Sequence, residues 1–449
     1  MGLFPLTYTR PKHVAGQNAN RQSESVSDLP SDGSVRSGQS GRSASVPDSL
    51  AFDNIMSGGT CPPMTVRDFM NYLIYVEHSA ENLQFYLWYQ DYVKRFNAAP
   101  AADISLSPEW TQAMEDEAVA RIRRDQVEKI KPDVQAAQIF KGTNFEKMVP
   151  DMPTPETAAN PFNTPPRSSN GEGDGSVFSS SRTMLSSTHA ANYKVRAADC
   201  FQSAGAKLPF TIQPFRDEIN RVVATYIMDG SARQLNLASW EQKAAVQALS
   251  YTTHPSALRS LFKTVDAALR RQAHPNFVRW SVCNGNPARV CFARVLGVLL
   301  VVGGFAIAIP LTLSKLGRGY RALAAIAWVL GISTLVAAYK GMCIVLHGMH
   351  HRHVKPWELF VQPDGEGDHL SKQSFDSFGS ENSYEDEPWV VKYEKRNLVR
   401  KVFDREVWIQ EPALRSIQDT IFVQAILVSV LAGGALTAIF VAVPGANLF

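Results

Sequence analysis

The sequence predicts an all-α chain in which a helical bundle, interrupted by a long insert, is followed by three transmembrane helices. Three observations carry that prediction. Apolar residues recur at helical spacing over 66–96 and again over 215–269, a Pro/Ser/Gly/Asn-rich tract separates the two stretches, and three long uncharged runs occupy the last third of the chain. With 449 residues and 45% apolar composition there is material for two or three units, because single cores usually stop growing at about 250–300 residues. The net charge of +3 is small beside 45 basic and 42 acidic groups. No Lys/Arg cluster is interleaved with aromatics, which sets nucleic acid aside as a partner.

Cys61, Cys200, Cys283, Cys291 and Cys343 show neither a zinc-ribbon spacing nor a disulfide framework, which fits a reducing, cytoplasm-facing location. The first residues, MGLFPLTYTRPKHVAG, hold no apolar run of signal-peptide length, and the myristoylation pattern fails at Leu6.

Taken in order, residues 1–49 are rich in Ser, Gly, Asp and Arg and read as a disordered tail. The first helical part is expected over 50–96. There Pro62 and Pro63 precede Thr65-Val-Arg-Asp68, which has capping-box spacing, and Val66, Phe69, Met70, Leu73 and Val76 follow at helical intervals. Ser79 is a candidate cap for a second helix with Glu81 and Asn82 in its first turn. In that helix Leu83, Tyr86 and Leu87 mark one face and Phe85, Trp88, Tyr89, Tyr92 and Phe96 another, which predicts a helix inside a bundle rather than on it.

Residues 97–207 read as an insert, first a charged helical piece over 110–131 and then a flexible Pro/Ser/Gly/Asn tract over 150–187. The second helical part is expected over 208–285. Phe215, Ile219, Val222, Val223, Tyr226 and Ile227 are helically spaced, Asp229-Gly230-Ser231 breaks the pattern, and Trp240, Ala244, Ala248 and Leu249 resume it. A last amphipathic piece runs through Leu258, Leu261, Phe262, Val265 and Leu269 after His254-Pro255-Ser256.

Membrane spans are expected at 290–314, 321–346 and 420–443. The uncharged runs hold twenty residues between Arg294 and Lys315 and eighteen between Arg321 and Lys340, near the roughly 20 that a helix needs to cross the hydrocarbon. Arg289, Arg294, Lys340, Arg352, Lys355, Arg400, Lys401, Arg405 and Arg415 flank one side against Lys315, Arg318 and Arg321 on the other. That bias predicts a cytoplasmic N-terminus and a C-terminus outside. Residues 347–389 are expected to form an acidic cytoplasmic loop, in which Ser371, Ser374, Ser377, Ser380 and Ser383 recur every third position as phosphorylation candidates.

Over 390–415 an interfacial amphipathic helix is predicted, with Leu398, Val399, Val402 and Phe403 beside Lys395, Arg396, Arg400, Lys401 and Arg405 for anionic lipid. Cys283 and Cys291, near the first span, are candidate palmitoylation positions. The uncharged runs inside these spans carry no Asp, Glu, Lys or Arg, which argues against a small membrane transporter. The run HGMHHRH (His347, His350, His351, His353) invites a metal, but no carboxylate or cysteine within it completes a shell, so no metal and no other cofactor is assigned.

The paired helices, the Glu81-Asn82 pair and the later LNLASWEQ run together resemble the regulator-of-G-protein-signalling (RGS) family, over 50–96 and 214–273. The YVEHSAENL..Y.WY segment, the TTHPSAL run and the layout resemble more closely the fungal group that joins a split RGS-like domain to three C-terminal spans, which includes the bud-site-selection, polarity-landmark type. The resemblance implies an all-helical domain that binds the switch regions of a GTP-loaded Gα subunit and speeds hydrolysis, the chemistry being that of Gα. It is thus not itself an enzyme. The implied partners are Gα, membrane lipids and other polarity or receptor membrane proteins, and the implied location is a multi-pass position in the plasma membrane.

By the same resemblance the Gα-binding candidates are Glu81, Asn82, Asp229, His254 and Arg259. Glu81 and Asn82 match the family's interfacial pair, and Arg259 lies where the family often has an arginine. The turn over 228–233 departs from the pattern, since Asp229 stands about where an assisting asparagine is expected. No acidic match occurs in Thr253-His254-Pro255-Ser256. Gα binding is therefore implied more directly than acceleration, and the alternative is a non-catalytic scaffold or polarity landmark that kept the fold. Read without the resemblance, Glu81 is an ordinary macrodipole choice and Asn82 an ordinary first-turn residue.

Overall fold

The computed structural model describes residues 46–130, 185–359, 375–379, 382 and 388–445. The tail before 46, residues 131–184 of the insert, and Ser371, Ser374, Ser380 and Ser383 lie outside the described residues. The chain is mostly helical and divides into two compact units, one of Met1–Asp91 with Phe262–Phe449 and the other of Tyr92–Leu261. The division falls inside the helices Ala80–Asn97 and Arg259–Ala268.

In the first unit the capping box forms as its spacing predicts. The Thr65 hydroxyl accepts from the Asp68 amide, the Asp68 carboxylate accepts from the Thr65 amide, and the helix Val66–Tyr72 follows. It widens into a π turn over Leu73–Glu77 and ends at His78 in the left-handed region (φ 53°). This wider turn ends the first helix and lets Ala80–Asn97 begin. The aromatic helix is internal, as its two apolar faces require: Leu83, Phe85, Tyr86 and Trp88 are all buried. Phe52 meets Phe69 and Tyr86 edge-on, Phe277 packs on Phe69 and Tyr72, and Phe262 stacks on Tyr86 and Tyr89. Arg270 lies over the Phe52 ring and grips Asp53 with two bonds of 2.7 and 2.6 Å.

Three helices of this unit are long and apolar enough to cross a membrane: Pro287–Leu313, Arg318–Tyr339 and Pro412–Ala442. The first begins with Asn286 accepting from the Arg289 amide and Pro287 in the first turn, where a missing N–H costs nothing. The second packs against both others. Its Gly331 approaches the first so closely that a Cβ there would stand 2.9 Å from the Gly297 carbonyl oxygen and the Val301 nitrogen. Trp328, fully buried, meets Phe305 of the first span and Phe440 of the third. At that end Arg321 is 1% exposed and donates to the carbonyls of Phe440 and Val443 and to that of Thr312.

Three expected boundaries are corrected at the opposite end. The second span stops at Tyr339 instead of continuing to 346, because Gly341 turns the chain in the left-handed region (φ 77°) and a separate short helix, Ile344–Gly348, follows. The third helix starts at Pro412, earlier than the apolar run, since Glu411 caps it and Leu414, Ile417 and Gln418 are buried. No single interfacial helix spans 390–415. Two short helices, Pro388–Glu394 and Leu398–Val402, give way to a strand, Glu406–Trp408, which pairs antiparallel with His351–His353. The break is at Asp404, whose buried carboxylate accepts from Arg396 and from the Arg405 amide and so removes 404–405 from helical geometry.

The second unit is built on Gln112–Ile130, Leu185–Ser203, Arg216–Val222 with its π turn Val223–Ile227, and Ser239–Tyr251. Gln112–Ile130 packs on Ser239–Tyr251, and Leu185–Ser203 packs on Arg216–Val222 through buried Ala197, Cys200 and Phe201. Both flanks of the insert therefore belong to the packed fold. Buried Arg216 ties the unit together by donating to the Leu249 carbonyl (2.7 Å) and to Gln213, which in turn donates to the Tyr251 carbonyl (2.9 Å).

Candidate functional site

Glu81 and Asn82 stand half-exposed in the first turn of Ala80–Asn97, directly above the ring-filled part of that helix. The Asn82 amide N–H donates to the Ser79 carbonyl at 3.3 Å, so the turn is closed by backbone. The next turn is covered from the loop after the second span. Gln84 exchanges two amide hydrogen bonds with Asn382 (3.0 and 3.1 Å), and Trp88 meets Phe378 edge-on. Nothing in the sequence pairs residues so far apart.

The other three candidates belong to the second unit, and each is engaged differently. Asp229 is exposed beside Gly230 (φ 69°) and accepts from Gln234 (3.0 Å) and Gln242 (2.9 Å). Gln242 also reaches the Ile227 carbonyl, so the carboxylate helps to brace the end of the π turn. Arg259, half-exposed, pairs with Glu109 at 3.1 Å. The latter supplies an acidic partner that the motif lacked locally.

His254 does internal work. Its Nδ1 accepts from the Ser256 amide (3.1 Å) and lies 2.8 Å from the Ser256 hydroxyl, and its ring stands edge-on to Phe96. Burial pushes its pKa below the ordinary histidine value, which favours the neutral ring that this acceptor role needs. Around it Thr252 and Thr253 are fully buried, Tyr92 donates its hydroxyl to the Thr253 carbonyl, Ser107 bonds the Thr253 hydroxyl, and the Trp110 amide donates to Ser256. The TTHPSAL run is thus a latch that joins three segments of this unit.

Two clusters in the first unit went unseen in the sequence. Lys355 holds its ammonium 3.6 Å from the Trp280 ring centre, and Trp280 stacks on Trp357, which stacks on Tyr75. Burial brings the Lys355 pKa down to about 8, with Arg352 adding to the shift. The second cluster adds a carboxylate to the histidine run. The fold brings Asp419 to His347 and His350, so the carboxylate missing from the histidine run comes from the third long helix.

No protein-family model, curated protein or solved structure matches this chain.

Proposed function

We propose that the chain is a membrane-anchored, RGS-like regulator that binds the switch regions of a GTP-loaded Gα subunit. The observation that supports it best is the half-exposed Glu81-Asn82 pair at the head of a helix whose body is fixed by buried rings. Mobile switch loops are slow to organise around the γ-phosphate, and a rigid face that holds them lowers the barrier by preorganisation. Three helices able to cross a membrane would confine the chain to the surface where lipidated Gα resides, so a weak interface suffices.

A second reading, a scaffold or polarity landmark that binds without accelerating hydrolysis, draws on specific observations. Asp229 stands where an amide would assist and is braced by two glutamines, and His254 is committed to its own fold. The test uses the full chain in lipid nanodiscs, because the spans and the Glu81-Asn82 turn share one compact unit. Gα subunits from the same cell are presented with GDP, with GDP and aluminium fluoride, and with GTP for single-turnover hydrolysis. Preference for the aluminium fluoride form, lost in Asn82→Ala, supports the regulator. Binding at unchanged hydrolysis rate supports the scaffold, and no preference for any Gα refutes both.

A further inference from the structure

The geometry points to a divalent transition-metal site of the zinc class, formed by His347, His350 and Asp419. His347 belongs to the short helix Ile344–Gly348, His350 immediately precedes the strand His351–His353, and Asp419 is on the helix Pro412–Ala442. One nitrogen of each imidazole and one carboxylate oxygen lie within 4.8 Å of one another.

The separations fit coordination better than hydrogen bonding. His347 Nε2 is 3.4 Å from Asp419 Oδ1, beyond the roughly 2.7–3.2 Å of an N–H···O bond. Two ligands about 2.0–2.2 Å from a tetrahedral ion stand roughly 3.3–3.6 Å apart. Nδ1 of His350 is buried with no hydrogen-bond partner among the described residues; the same holds for Nδ1 of His347, which is not the nitrogen 3.4 Å from Asp419, and for ring nitrogens of His351 and His353.

The ligands are also held in place. The His347 ring packs on Phe422 at 4.8 Å and stands edge-on to His350 at 5.7 Å. His350 takes the left-handed backbone conformation (φ 53°) that turns the chain between the short helix and the strand. Two neutral imidazoles and one carboxylate suit Zn2+ and leave a fourth position for water beside Asp419, whose side chain is 54% exposed. The ion would fasten the turn after the second span to the base of the third, a role that does not depend on Gα.

The test is metal binding by the full chain, purified in detergent without a histidine tag and stripped with chelator. Titration with Co2+ is expected to saturate at about one ion per chain with the strong visible absorption of a tetrahedral site, and Zn2+ is expected to displace it. The double variant His350→Ala/Asp419→Asn should bind at least about 10-fold more weakly, while His351→Ala binds as the parent does. Should the double variant fail to fold, the parent alone decides, through a rise in melting temperature when Zn2+ is returned to the stripped protein. No saturable Co2+ binding, binding unchanged in the double variant, or no rise in melting temperature overturns the proposal.

Discussion

Arg321 is the most testable single residue among the three long apolar helices, because its guanidinium holds all three at one end. It donates 2.9 and 2.6 Å bonds to the Phe440 and Val443 carbonyls and a weaker 3.5 Å bond to the Thr312 carbonyl. These are carbonyls at helix C-termini, where no backbone N–H is available and a cation is favoured by the macrodipole. A hydrogen bond to a charged group is worth about 1.5–3 kcal/mol, so the two short bonds amount to roughly 3–6 kcal/mol gross. Water at the end of the bundle would recover about half of that for Arg321→Ala, leaving about 2–3 kcal/mol. At about 2–4 °C per kcal/mol for a unit of this size, the melting temperature of the detergent-solubilised protein should fall by about 5–10 °C. Arg321→Lys, which keeps the charge and loses the planar fork, should lie between. Melting within about 1 °C of the parent, or Arg321→Lys below Arg321→Ala, would refute the capping argument.

Three further outcomes are expected. Gly331→Ala drives a methyl into the backbone of the first span and should cost about 1–3 kcal/mol, whereas Gly303→Ala, with nothing within 4 Å of its Cβ position, should be neutral; paired melting curves check this. Tyr92→Phe leaves the buried Thr253 carbonyl without its donor and should destabilise the second unit by about 1–3 kcal/mol, read by hydrogen exchange of the 252–258 amides. For His254 the folded pKa is lowered, so between that value and the unfolded value of about 6.5 the unfolded chain binds more protons. Stability should therefore rise with pH through that window and be lost as pH falls through it towards the folded value, with a flatter melting profile in His254→Asn. His274, lowered by burial too, keeps part of the slope.

Much of the architecture was legible residue by residue. Helical spacing located the segments around Phe69 and Tyr86, the Thr65/Asp68 spacing placed a start, Asp229-Gly230 placed a stop, and the uncharged runs identified the three long helices. These signals are local: capping, turn chemistry and apolar periodicity act within about one or two turns of chain. The failures share one cause. A helix was expected over 390–415 because basic and apolar residues alternate suitably there, yet Asp404 finds Arg396 and the strand Glu406–Trp408 finds His351–His353, and pairing across sequence overrides propensity. The same cause limits the candidate site. His254 looked like a surface contact until Phe96 and Ser256 were found around it, and Gln84 gave no sign of Asn382.

Apart from 390–415 and the ends of the long helices, the sequence alone indicated the main helical segments and which of them are apolar enough to lie in hydrocarbon, because both depend on the composition and period of contiguous residues. Only the tertiary structure decided what polar groups do. Arg321, read as a flanking charge, became a cap for two other helices. Asp419, just before the span expected at 420–443, became the carboxylate beside His347 and His350. A buried polar atom must find a partner, and in a folded chain that partner is chosen by distance in space and not along the sequence.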